Sequence, residues 1–300
     1  MFSQNKIFRE NLILLIVAHM FWLAQPAIVS AQGGDYNPLS FTQPLKVARG
    51  TVVPIGSNAM YLNDEDCCRL LIKDYGWKSC TGIDAVLLGM GDDIDTLLVG
   101  APVSDGYVSL DDWDSAAGQE VESITKAYKQ SMVEQSAALG YPVEFIGWSL
   151  YPQVDHSRKV LYFANTIKWN GEDTLNITIV KFDRYGYTIF KVVPASSVYN
   201  GAQIAALVDD VVSSYKPKAG SSYTEFTSGD KVAGYGALGA FAGVLGIKYG
   251  KGIASGLLAL IPLLLKKFWL LFLPLIWVVT LLTKRFSPTK VGERPPQGDS

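Results

Sequence analysis

The sequence predicts an α+β fold: an antiparallel β-sheet meander packed with helices, followed by one or more C-terminal apolar transmembrane helices. Three observations carry this. The stretches "KVLYFANTIKW", "TLNITIVKF" and "YTIFKVV" are rich in β-branched and aromatic residues and are separated only by the turn-forming "NGED" and "DRYG". Helical stretches lie on either side of that block. Beyond them, uncharged runs cover 232–247, 252–265 and 268–283, interrupted by lysines alone.

The chain begins with Lys6 and Arg9, an apolar run from Leu12 to Leu23, and then the small-residue stretch "AIVSAQGG". That order is a secretory signal peptide over residues 1–31, cleaved after Ala31, and a run of about 12 apolar residues is too short for an ordinary span. Residues 32–44, "QGGDYNPLSFTQP", have no periodicity and read as irregular leader, so order is expected from about Leu45. "NDEDCCRLLIKDYGW" reads as a helix, with Asn63 as cap, Asp64, Glu65 and Asp66 in the first turn, and Gly76 at the end. A longer helix is expected over Gln119–Leu139, with Asp111, Asp112 and Asp114 near its start, and a third over Ala202–Tyr215, striped by Ile204, Leu207, Val208, Val211 and Val212. In the middle strand Leu175, Ile177 and Ile179 face one way and Thr174, Asn176 and Thr178 the other, which predicts one covered face and one wet face.

The domain boundaries follow: an extracytoplasmic α+β domain over 32–228, Gly-rich and apolar membrane-anchoring helices over 229–283, and a basic polar tail over 284–300. The best span is 268–283, about 24 Å long as a helix and extendable by the flanking Lys266, Lys267, Lys284 and Arg285. Gly239 with Gly243 and Gly246 with Gly250 stand four apart and permit close packing or self-association of membrane helices.

Charge separates the same regions. The whole chain is −2, residues 229–300 carry +6, and residues 32–228 carry −9. An acidic exported domain is a poor nucleic-acid binder, whereas the basic end suits anionic lipid, so the lipid bilayer is the expected partner. The three cysteines allow a bridge from Cys80 to Cys67 or Cys68, adding roughly 3 kcal/mol in the chain-entropy model, or three buried unbridged thiols.

Candidate chemistry centres on Asp155 and His156, beside Ser149 in "GWSLYPQVDHS". A nucleophile elbow needs Gly-x-Ser-x-Gly, but Tyr151 replaces the second glycine and Ser149 lies within an expected strand. His156 reads as a turn residue. Metal spacings are missing as well: no Cys-x-x-Cys or His-x-x-x-His occurs, and a calcium loop begun at Asp112 fails by its fifth position, Ala116. "GYGALG", 234–239, matches a dinucleotide fingerprint formally, yet no strand precedes it and no acid follows at the ribose distance. No cofactor and no metal is therefore expected.

Several blocks occur together: "GYVSLDDWDSA", "EFIGWSLYPQVDHSRKVLYFA", "FDRYGY" and "GDKVAGYGALGAFAGVLGIKYGK" followed by "LLKKFWLL". Their order resembles the bacterial membrane-anchored proteins grouped as domain of unknown function 2167. The resemblance rests on Gly106, Tyr107 and Val108; on Gly147, Trp148, Pro152 and Asp155; and on Asp230, Lys231, Val232, Ala233, Tyr235 and Gly236. The third block departs from the family's pattern, with Phe182 and Asp183 before Arg184. The resemblance implies an exported protein of the bacterial cytoplasmic membrane with its main domain on the periplasmic side, and supplies no reaction. The expected function is a cell-envelope interaction or scaffold protein, with another envelope protein as the further expected partner. The alternative is an envelope enzyme or small-ligand sensor built around Asp155 and His156, or a pocket lined by Trp148, Tyr151 and Tyr162.

Overall fold

The computed structural model describes residues 36–74 and 79–249. The signal peptide, Gly76, Gly250, the runs at 252–265 and 268–283 and the basic tail lie outside these residues. No described helix is long and apolar enough to cross a membrane.

The chain forms strands β1 (Leu39–Ser40), β2 (Leu45–Val47), β3 (Gly50–Val52) and β4 (Met60–Tyr61), helix α1 (Asp64–Arg69), β5 (Ile83–Leu88), β6 (Ile94–Gly100) and α2 (Asp111–Leu139). Then come β7 (Val143–Asp155), β8 (Val160–Trp169), β9 (Glu172–Asp183), β10 (Gly186–Pro194), α3 (Gly201–Ser214), β11 (Tyr215–Pro217) and α4 (Ala237–Val244). Eight strands make one antiparallel sheet in the order β1-β4-β5-β6-β10-β9-β8-β7, and β11-β3-β2 make a smaller one. The meander β7 to β10 is joined by tight turns. Asn170 and Gly171 both have positive φ, 46° and 94°, the backbone that a two-residue hairpin matching the strand twist requires.

Helix ends follow local chemistry. The Asn63 side chain accepts from the Asp66 N–H and caps α1, which continues as a π-turn over Leu70–Asp74. Helix α2 starts at Asp111, eight residues before the expected Gln119, because its three first-turn acids favour the orphan amides and the buried Trp113 anchors that turn. It ends at Gly140 in the left-handed region, φ 79°. An Asn200–Gln203 capping box opens α3.

The expected wet face of the sheet is covered. Leu175, Ile177 and Ile179 pack under α3 with Ile204, Leu207, Val208 and Val211, as alternation requires. On the opposite face α2 and α4 pack through Trp113, Ile124, Tyr128 and Phe241, while α1 and its π-turn cover Leu88 and Leu98. Thr174 and Thr178, on that same face, are buried as well.

One compact unit reaches Tyr249, and Leu238, Ala240, Phe241 and Ala242 of α4 are all buried in its core. Of the glycines expected to pack membrane helices, Gly239, Gly243 and Gly246 lie in or beside α4. A Cβ on Gly239 would lie 2.6 Å from Cβ of Tyr235, and Gly246, φ 71°, follows the end of α4 in the left-handed region. Gly243 faces the Tyr187 hydroxyl.

Candidate functional site

The Asp155–His156 region is a structural turn. Strand β7 runs through Pro152, which is tolerated because β7 is the sheet edge and its register shifts between Leu150 and Gln153. Asp155 closes the turn: its Oδ1 accepts from the Ser157 N–H at 2.8 Å, the Ser157 hydroxyl at 2.6 Å and the Arg158 N–H at 2.9 Å, and its Oδ2 from Arg158 Nε at 2.6 Å. Desolvation pushes its carboxyl up, but the bonds from Ser157 and Arg158 together outweigh it and hold the group well below the usual carboxylate range. Such a group is a poor proton carrier at neutral pH.

His156 points elsewhere, with Nε2 2.9 Å from Asp114 Oδ1 on α2 and both side chains exposed. Ser149 Oγ is bonded to Thr166 Oγ1 at 2.7 Å. The three residue types of a hydrolytic triad are near in sequence, yet each is bonded to a different neighbour. Cys67 does not rescue a Cys–His pair: it is buried in the α1 cluster, and burial pushes its thiol up to about 11. Cys68 and Cys80 are joined by a disulfide with Cα atoms 5.0 Å apart. Trp148 stacks among Tyr128, Phe145, Phe163 and Phe241, Tyr162 belongs to the cluster under α3, and Tyr151 is exposed, so these three line no common pocket. Among the described residues no group of His, Cys, Asp and Glu could hold a metal ion.

The sequence blocks converge on a clasp. The Tyr107 N–H donates to the Lys231 carbonyl at 2.8 Å, and the Ala233 N–H donates back to the Tyr107 carbonyl at 2.8 Å. Gly106, φ 112°, permits this approach, since a Cβ there would lie 2.6 Å from the Lys231 carbonyl oxygen. Arg184 grips Asp230 through two bonds, 2.7 and 2.8 Å, and with Thr227 holds that carboxyl at about 2. Tyr235 donates to Asp105 at 2.5 Å. Gly236 is pressed against the Asp112 carboxylate, where a Cβ would lie 2.4 Å from Cγ, and burial pushes that carboxyl up. Through these contacts α4 is delivered onto the sheet.

Where α4 ends, a cleft opens over the middle strands. Its floor steps across three strands: Lys191 on β10 is opposite Thr178 on β9, and Asn176, two residues along β9, is opposite Asn165 on β8. Tyr128 of α2, Phe163, Ile167, Trp169, Val244 and Leu245 complete the lining. Asn165 is 3% exposed and its Nδ2 donates to the Tyr128 hydroxyl at 3.0 Å. Desolvation pushes the Lys191 ammonium down to about 8. The sequence reading missed this cleft. Its signal was a lone lysine inside "YTIFKVV" and a lone asparagine inside "KVLYFANTIKW", each in a strand otherwise fit for burial.

Fold and cleft define an α+β domain with a polar seam beneath its helices and no assembled acid–base or nucleophile set among the described residues. The chain belongs to the family described as "Protein of unknown function (DUF2167)", which matches residues 42–277. No curated protein matches the chain. A similar solved structure is that of cyanobacterial PsbP from Synechocystis, at 17% identity, covering 46% of this chain and 75% of that one with a TM-score of 0.28. A likeness of that size carries no argument about function.

Proposed function

We propose that this protein is an exported, membrane-tethered domain of the bacterial envelope that works by binding a partner or ligand rather than by catalysis. The carrying observation is the separate commitment of Asp155, His156 and Ser149 to Ser157 and Arg158, to Asp114 and to Thr166. The Cys68–Cys80 bridge supports an oxidising compartment, consistent with the expected signal peptide. The uncharged run at 252–265 begins three residues after Tyr249 and is followed by that at 268–283, and together they supply the tether.

Alkaline extraction of membranes tests the tether. The full chain stays in the membrane pellet, and a chain ending at Tyr249 is released as exported soluble protein. Release of the full chain, or retention of the shortened one, contradicts the reading. Cross-linking in intact cells, scored for the same product with wild type and His156→Ala, tests the binding role: loss of the product in the variant would return attention to the turn.

A further inference from the structure

We propose that the cleft over β8, β9 and β10 is a binding site for a neutral carboxamide group. Asn165 Oδ1, an acceptor, and Trp169 Nε1, a donor, are both buried and have no hydrogen-bond partner among the described residues. Asn165 is 3% and Trp169 6% exposed, and both line the cleft. They stand four apart on β8, which pairs with β9 without a register shift, so alternation sends both to the same face of the sheet with Ile167 between them. Asn165 Nδ2 donates to the Tyr128 hydroxyl at 3.0 Å, which leaves Oδ1 for an occupant of the cleft.

A buried polar atom left unpaired is costly, because its bond to water is lost and nothing replaces it. An acceptor and a donor in one small lining are satisfied together by a group that presents one partner for each. The N–H of a carboxamide donates to Asn165 Oδ1, and its carbonyl accepts from Trp169 Nε1. A carboxylate has two acceptors and no donor, so it would turn an oxygen against Asn165 Oδ1, and a ketone would satisfy the indole alone. Lys191 also lines the cleft, but it is engaged in an interaction of its own and is no vacant counter-charge.

Size agrees with that chemistry. The inner space is about 50 Å³, room for roughly three to five water-sized groups at ~10–15 Å³ each. A carboxamide and the carbon that bears it fill such a space, and Phe163, Ile167, Val244 and Leu245 give apolar walls to an uncharged group. The inference gives a ligand class to the binding role proposed above and does not depend on the membrane tether. Its failure would leave the outcomes of extraction and cross-linking as they stand.

The test uses the full chain in detergent micelles, titrated with acetamide, acetate and acetone, which share one shape and differ in what they donate and accept. The indole N–H resonance of Trp169, assigned with Trp169→Phe, reports on the cleft itself. Acetamide should shift it saturably, with acetate and acetone weaker by about tenfold or more. Asn165→Leu, similar in size and without the acceptor, should bring acetamide down to the affinity of acetone and leave acetone as it was. If Asn165→Leu does not fold, Trp169→Phe takes its place and should weaken acetamide by a similar factor, read from the broadening of the ligand's own signal. An indole resonance indifferent to acetamide would overturn the proposal and leave the cleft holding water only. Equal affinity for acetamide and acetone, a preference for acetate, or unaltered acetamide affinity in the folded variant would overturn it as well.

Discussion

The β7–β8 turn and the cleft under α4 are opposite uses of polar residues on one sheet. In the turn, charges are dense and at least partly exposed, and these are committed: Asp155 to Ser157 and Arg158, Arg158 also to Asp209 at 2.5 Å, His156 to Asp114. In the cleft, polar groups are few and buried, and two of them are unpartnered among the described residues. Charge density is what a sequence shows most readily, and here it marks a hairpin fastened to α2 and α3. A buried polar group in an apolar strand is the quieter signal and the more expensive feature, because desolvation is offset only by good partners.

The contrast can be broken most forcefully at α4, which walls the cleft. Phe241 is fully buried and meets Trp113, Trp148 and Phe163 edge-on or tilted at 5.3–5.9 Å. Phe241→Ala should destabilise the domain by about 3–5 kcal/mol in denaturant melts. A negligible effect would mean that α4 is not part of the core.

Lys191→Met sharpens the cleft's side of the comparison. The folded chain holds the Lys191 proton only up to about pH 8, whereas the unfolded chain keeps it to ~10.4. Unfolding therefore takes up a proton between those values, and stability from this group rises with pH across that window and is level below it. The variant should be more stable than wild type below pH ~8, by up to about 3 kcal/mol, with the gap closing as pH rises toward ~10.4. Melts at a series of pH values check the sign: a gap that is constant or widens contradicts burial of the ammonium.

Gly236→Ala tests the clasp on a smaller scale. The added methyl meets the Asp112 carboxylate, and a loss of about 1–3 kcal/mol is expected. Asp112→Ala in the same background should recover part of it. The smallest effect belongs to the turn. Both members of the His156–Asp114 pair are exposed, so His156→Ala should stay within about 0.5 kcal/mol of wild type.

Much of the fold was legible where one residue decides a local structure. Asn63 reads as a cap and is one; the Ile204, Leu207, Val208 and Val211 stripe reads as a helix face and packs as one; the strands around Asn170 and Gly171 pair in the expected meander. The hairpin of β5 and β6 was missed. Its apolar cores "AVLL" and "TLLV" do not alternate, because both faces of those strands are buried. Helix α4 was legible only as an apolar, Gly-rich stretch: glycine, alanine and phenylalanine suit a lipid environment and a close-packed core equally, and the bonds from Tyr107 to Lys231 and Ala233 that deliver it to the core join residues far apart in sequence. The cleft was illegible because Lys191 and Asn165 stand on different strands, and their neighbourhood exists only once β9 lies between them.

Direct titration of the Lys191 amine by NMR, with the signal assigned through Lys191→Met, bears on the central claim that the buried polar seam, and not the charged turn, is the unusual chemical environment of this domain. The account predicts a midpoint near 8. A midpoint at the ordinary lysine value of ~10.4 would place Lys191 in water and contradict it.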